Sequence, residues 1–94
     1  MNPIMATVAE LIKAQDEANK LTRLHDLLAE IGIQAELRDN YSALMVHRPK
    51  PGMPVWVFVG YGGGYYSWDN ANKRHPVDDP AGAARELAEY VRRP

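Results

Sequence analysis

The sequence predicts an α+β domain in which a long N-terminal helix and a C-terminal helix cover one face of a four-stranded antiparallel sheet. Three observations predict this class. A stretch without internal glycine or proline runs from about residue 4 to residue 31, two pairs of short apolar stretches follow, and an alanine-rich stretch comes last. Because turn residues separate the members of each pair, each pair is predicted to form a hairpin.

Length and composition limit the protein's class. The 94 residues are predicted to form a single domain, 1–94, that buries roughly two-thirds of the surface exposed on unfolding. The formal net charge is −1, so the basic excess typical of nucleic-acid-binding proteins is absent. The sequence contains no cysteine, which excludes disulfides and thiolate metal sites. With no apolar stretch near the ~20 residues of a membrane span and no signal-peptide pattern, we expect a cytoplasmic protein without a cofactor and without membrane contact.

The first helix is predicted to end at Gly32, which suits the C′ position. Residues 33–38 then alternate between apolar and polar types, the period of a half-buried strand. Asp39 and Asn40 indicate a turn into a second strand over 41–47. These two strands form the first predicted hairpin.

The second predicted hairpin follows a loop over 48–54, whose three prolines exclude it from the interior of a sheet. Its strands are 55–59 and 65–68, joined by a glycine-rich turn over 60–64. Residues 69–77 are polar and are predicted to be irregular.

The last predicted helix begins after an N-cap at Asp78 or Asp79, with Pro80 in its first turn. Its buried stripe is predicted to contain Ala84, Leu87 and Val91, with Ala83, Ala88 and Tyr90 flanking it.

The long helix carries two apolar stripes on nearly opposite faces. With Val8 at zero and about 100° per residue, one stripe lies near 340° and the other near 180°. The first, here called the N-terminal stripe, contains Ile4, Val8, Leu11 and Ile12. The second contains Leu21, Leu24, Leu28 and Ile31.

Both stripes of one straight helix cannot pack on the same sheet. A helix of ~28 residues is ~42 Å long, whereas strands of 5–6 residues span ~17–20 Å. Residues 1–20 are therefore predicted to project beyond the domain and to provide a dimerisation surface. The alternative is a break near residues 16–19 that folds the first segment back onto the domain.

The second hairpin predicts an aromatic surface. If 60–64 form the turn, Trp56, Phe58, Tyr66 and Trp68 share one face, and the valines at 55, 57 and 59 line the other. Two helices cover one face of a small sheet and hardly both, so an aromatic patch would remain exposed. In the alternative interpretation the aromatic residues form the core and the valines are half exposed.

These patterns favour a non-enzymatic interaction module that works as a homodimer or as a subunit of a larger assembly with a protein partner. The predicted partner-binding residues are Val8, Leu11, Ile12, Trp56, Phe58, Tyr66 and Trp68.

Two other functions have weaker support from the sequence. A nucleic-acid-binding or regulatory accessory protein would use cations beside the aromatic rings, and the candidates for contacting an anion are Arg48, Lys50, Lys73 and Arg74. A small-ligand-binding domain would use a pocket over the aromatic face.

Catalytic and metal-binding motifs are not predicted. The glycines at 60–64 are followed by a strand, whereas a phosphate-binding loop is followed by a helix. The three histidines lie in different elements without metal-ligand spacing. Asp69, His75, Asp78 and Asp79 lie close together with Ser67 nearby, but no spacing orders them into a catalytic site.

The residues Val55-Trp56-Val57-Phe58, Tyr65-Tyr66-Ser67-Trp68 and the run from His75 to Ala84 resemble small hypothetical proteins of actinobacteria. The resemblance covers about the last two-fifths of the chain. It implies a bacterial cytosol, and it implies no activity and no site residues.

Overall fold

The computed structural model describes residues 3–49 and 52–93, with side chains described from residue 11 onward. The elements are α1 (Pro3–Glu30), β1 (Ala35–Arg38), β2 (Ala43–Val46), β3 (Val55–Gly60), β4 (Tyr65–Trp68), β5 (Lys73–Pro76) and α2 (Pro80–Arg92). The strands form one antiparallel sheet in the order β1-β2-β3-β4-β5. The predicted α+β class is confirmed, with five strands in the described part of the chain where four were predicted.

Helix α1 is continuous from Pro3 to Glu30, so the predicted alternative with a break near residues 16–19 is wrong. The helix ends as predicted at Gly32, whose φ is 83°. The Gly32 N–H donates to the Ala29 carbonyl and the Ile33 N–H donates to the Leu28 carbonyl. This pair of bonds is a Schellman motif, which satisfies the last helical carbonyls and directs the chain into β1.

Three hairpin turns share one backbone shape. Each has four residues, of which the first three have positive φ, and the turns are 39–42, 61–64 and 69–72. Asp, Asn and Gly adopt this left-handed conformation at low cost. The turn at 69–72 was not predicted from the sequence. It leads into β5, so the prediction of an irregular segment over 69–77 is wrong.

The turn between β3 and β4 is one residue shorter than predicted. Gly60 pairs with Tyr65 as the last residue of β3, and Tyr61 takes the first left-handed position of the turn. Phe58 therefore lies opposite Ser67, and Val59 lies opposite Tyr66. A shift of one residue moves every side chain of β4 to the other face of the sheet.

The core lies between the two helices and one face of the sheet. The sheet contributes Leu44, Val46, Val55, Val57, Tyr66 and Trp68, and the helices contribute Leu21, Leu24, Leu28, Ala84, Leu87 and Val91. Helix α1 contacts β1, β2 and β3, while α2 contacts β5 and α1. We call the opposite face of the sheet, which carries Met45, Trp56, Phe58 and Ser67, the outer face.

Helix α2 begins as predicted. Asp79 is its N-cap, the Oδ1 atom of Asp79 accepts a hydrogen bond of 3.2 Å from the Gly82 N–H, and Pro80 occupies the first helical position. The predicted stripe of Ala84, Leu87 and Val91 is buried.

Candidate interaction surfaces

Among the residues of α1 with described side chains, contacts with the rest of the protein begin near Ala18. Ala18 is buried, the Lys20 ammonium donates to the Gly63 carbonyl at 2.9 Å, and the Lys20 carbonyl accepts from the Tyr66 hydroxyl at 2.8 Å. These contacts join α1 to β4 and to the turn that precedes it. The helix before Ala18 extends past that turn.

Two described residues of the N-terminal stripe are exposed. Leu11 is 64% exposed and Ile12 is 65% exposed. Leu21, Leu24 and Leu28 are fully buried on a face roughly 160° away around the helix. Leu11 and Ile12 therefore point away from the sheet that α1 covers, whereas the predicted side chain of Val8 lies outside the described residues.

The aromatic surface differs from the predicted one. Tyr66 and Trp68 are buried on the core face with the valines, whereas Trp56 and Phe58 lie on the outer face. The prediction that all four aromatic residues share a face is wrong because the turn has four residues rather than five. The alternative is also wrong in part, since Val55 and Val57 are buried.

The outer face keeps an exposed aromatic patch. Trp56 is 39% exposed and Phe58 is 47% exposed. Met45, which sequence reasoning missed, lies opposite Trp56 in the neighbouring strand. Alternation along β2 could have identified Met45. Its neighbours Leu44 and Val46 are buried on the core face, so Met45 between them projects to the outer face.

The three predicted anion-binding cations that the structure describes do not form one cluster. Arg48 donates to the carbonyls of Met53, Tyr90 and Val91, so it joins the loop before β3 to the C-terminal end of α2. Lys73 and Arg74 are adjacent in β5 and therefore project to opposite faces. Lys50 lies outside the described residues.

Arg74 is held by two aromatic rings on the outer face. Its guanidinium carbon lies 4.7 Å from the ring centre of Tyr61 and 4.9 Å from that of Tyr65. Such cation–π contacts are favourable at the surface. Sequence patterns do not indicate this arrangement, because it depends on β5 and on the register of β4.

The acidic and histidine residues near α2 form a structural clamp. The Nε2 atom of His75 lies 2.9 Å from Oδ2 of Asp79, and its Nδ1 atom lies 3.1 Å from Oε1 of Glu86. The hydrogen bonds from His75 and from the Gly82 backbone lower the pKa of the Asp79 carboxyl below its ordinary value. His75 thereby joins β5 to the first two turns of α2.

This clamp does not assemble a catalytic triad with Ser67. His75 lies opposite Tyr66, on the core face, whereas Ser67 lies on the outer face. The Ser67 hydroxyl donates at 3.5 Å to the Phe58 carbonyl across the strands. Among the described residues, no group of three His, Cys, Asp or Glu side chains is placed to bind a metal ion.

Neither helix, over the residues described, combines the length and apolar character needed to cross a bilayer. The fold and surfaces define a two-layer α+β protein with an extended first helix and an outer sheet face that exposes Trp56 and Phe58. No family model matches the chain, and comparison with curated proteins and with solved structures gives no match.

Proposed function

We propose that this protein is a non-enzymatic interaction module that forms a homodimer through the N-terminal stripe of α1, in the bacterial cytosol that the sequence resemblance implies. One observation carries the proposal. Leu11 and Ile12 are both about two-thirds exposed on a helix that runs past its own domain. Neighbouring apolar residues of this kind on a monomer's surface indicate an interaction site.

A second copy of the chain fits this surface. Because Leu11 and Ile12 point away from the sheet, a partner helix packs against them without meeting the domain that α1 covers. Two such helices pack antiparallel around a twofold axis, the commonest symmetry of protein dimers.

The expected energy is consistent with a dimer of modest affinity. Full burial of an aliphatic side chain contributes about 1.5–3 kcal/mol, and Leu11 and Ile12 of each copy are available for it. Association costs about 4–15 kcal/mol in lost freedom. Since packed surface helices bury their side chains only in part, we expect a dimer dissociation constant in the micromolar range.

Replacing Leu11 with Glu tests the proposal. The change places a charge in the twofold contact and removes about 2 kcal/mol of burial from each copy, so the dimer dissociation constant rises by roughly a thousandfold. Light scattering on wild type and Leu11→Glu over a concentration series measures this. Wild-type protein that is monomeric at tens of micromolar contradicts the proposal.

Lys13→Gln is the matched control. It changes the net charge by the same amount as Leu11→Glu, and it lies on the same turn of α1 but roughly 160° from the centre of the N-terminal stripe. We expect Lys13→Gln to dimerise as wild type does. Equal weakening in both variants would show that net charge, rather than the N-terminal stripe, controls association.

A further inference from the structure

The sheet opens where β3 and β4 separate. Strand β3 pairs with β4 from Phe58 to Gly60, whereas its first half pairs with β2 only. Strand β4 continues to Trp68 and turns into β5 through residues 69–72. A cavity of about 470 Å³ lies at this opening, within the range of small-molecule sites.

The walls of this cavity combine aromatic rings with a few polar groups. Its rings include Trp56 and Phe58 from the outer face and Trp68 from the core. Polar groups come from the turn that follows β4, where Asp69 and Asn70 border the cavity. Flat aromatic walls beside a small number of hydrogen-bonding groups are typical of sites for planar ligands.

Trp68 carries a buried donor without a partner. It is only 3% exposed, and its Nε1–H has no acceptor among the described residues. Leaving such a group unpaired costs free energy, so nearly all buried donors are paired. A ligand atom with a lone pair would supply the acceptor.

The charges at the cavity favour a neutral ligand. Among the residues that the structure describes, one positive group, Arg48, and one negative group, Asp69, border it. The Arg48 donors are directed to the carbonyls of Met53, Tyr90 and Val91, which leaves it poorly placed to bind an anion. Asp69 disfavours a second negative charge.

We propose that this cavity binds an uncharged planar heteroaromatic ring that stacks on Trp56 and accepts a hydrogen bond from the Trp68 indole. Asn70 supplies an amide for the polar edge of the ring. No α1 residue with a described side chain borders the cavity, so the ligand site and the proposed dimer are independent, and Leu11→Glu leaves the ligand site intact.

The chain's two tryptophans make the test direct, because both border this cavity. Titration of ¹⁵N-labelled protein with adenosine, guanosine, cytidine, uridine and nicotinamide follows the two indole N–H signals separately. We expect at least one probe to shift both signals saturably, with the Trp68 signal moving downfield. Trp68 also borders a smaller cavity of about 210 Å³ beside α2, so a shift of the Trp68 signal alone would contradict the proposal.

Two variants separate this site from a nonspecific effect. Trp56→Leu removes an exposed ring and should weaken probe binding by at least about tenfold, the scale of one stacking contact. Tyr41→Leu removes an exposed ring in the turn before β2, outside the cavity, and should bind as wild type does. Equal affinity of Trp56→Leu and wild type, or no shift by any probe at millimolar concentration, would overturn the proposal.

A ten-nucleotide single strand of mixed sequence tests whether the ring belongs to a polymer. If the strand shifts both indole signals and Trp56→Leu abolishes the shift, the ring site is supported and its ligand is a base within a strand. Affinity that falls steeply with salt would accompany that result. Binding of the strand without a shift of the Trp68 signal would contradict the ring site.

Discussion

At the residue scale, Tyr66 shows how one side chain joins the two layers. Its hydroxyl is buried and donates to the Lys20 carbonyl of α1. Burial raises the pKa of the Tyr66 hydroxyl, and the nearby charge of Arg23 offsets this in part. Because the folded pKa lies above the unfolded one, this contribution to stability is complete below about pH 10 and is lost as the pH rises further.

We expect Tyr66→Phe to lower the free energy of unfolding by about 1 kcal/mol at pH 7 through loss of the hydrogen bond. Above pH 10 the difference between the two proteins should shrink, because only the wild type loses the Tyr66 contribution. Urea unfolding at pH 7, 9 and 10.5 measures both effects. A difference that stays constant across this range would contradict the assigned role of Tyr66.

Gly82 is required by its neighbours rather than by its own conformation. A Cβ atom at this position would overlap the Asp79 carboxylate and would lie 2.7 Å from Nε2 of His75. The absence of a side chain therefore lets the N-cap and the histidine clamp coexist in one turn.

In an unhindered helix, replacing glycine with alanine raises the free energy of unfolding by about 1 kcal/mol. We expect no such increase in Gly82→Ala, because the Asp79 carboxylate must leave its position. The pKa of Asp79 should then rise toward its ordinary value, and His75→Gln should raise it too. Because the folded pKa is depressed, the Asp79 contribution is present above about pH 4 and is lost on acidification. NMR titration of the Asp79 carboxyl measures the pKa, and a depressed value in both variants would contradict the clamp.

At the scale of elements, the helix ends were predictable and the sheet register was not. Gly32 and Asp79 act through bonds to residues within four positions, so their types alone identify the helix boundaries. The register of β4 depends on whether Gly60 ends β3 or begins the turn. Both choices place a glycine in an allowed conformation, and only packing of Tyr66 into the core decides between them.

The missed fifth strand had a local signal. Asp69-Asn70 repeats the Asp39-Asn40 pair that was recognised as a turn, and the two pairs have nearly the same φ values. The strand was not predicted because the sequence of β5 is short and polar and ends in Pro76. Such a sequence suits an edge strand, where one row of backbone donors needs no partner.

The third turn position gives a test of this shared shape. Ala71 has a φ of 66°, a conformation that costs a residue with a Cβ about 1–2 kcal/mol. Glycine avoids that cost but loses about 0.5–1 kcal/mol in unfolded-chain entropy. We therefore expect Ala71→Gly to raise the free energy of unfolding by about 0.5 kcal/mol, measured by urea unfolding.

Ala43→Gly is the control for that prediction. Ala43 is buried within β2, so glycine there should destabilise the protein by about 1 kcal/mol. Destabilisation by Ala71→Gly of the same size as that by Ala43→Gly would contradict the left-handed assignment at Ala71.

At the scale of the whole molecule, the continuous α1 determines the shape. The protein extends 51 Å along one axis and 24 and 23 Å along the others. The two opposed stripes of α1 predicted this extension, since a straight helix places only one of them on the sheet. The aromatic surface was predicted only in part, because a local pattern specifies which residues alternate but not which face becomes the core.

Small-angle X-ray scattering coupled to size-exclusion chromatography tests the proposed dimer most directly, since it measures mass and maximum dimension together. Helix-mediated dimerisation predicts twice the chain mass of 10.5 kDa. It also predicts a maximum dimension of about 85 Å, because two 51 Å molecules that overlap over residues 3–13 share about 11 helical residues at 1.5 Å each. A monomer of about 10.5 kDa, or a dimer no longer than the single chain, would contradict the account.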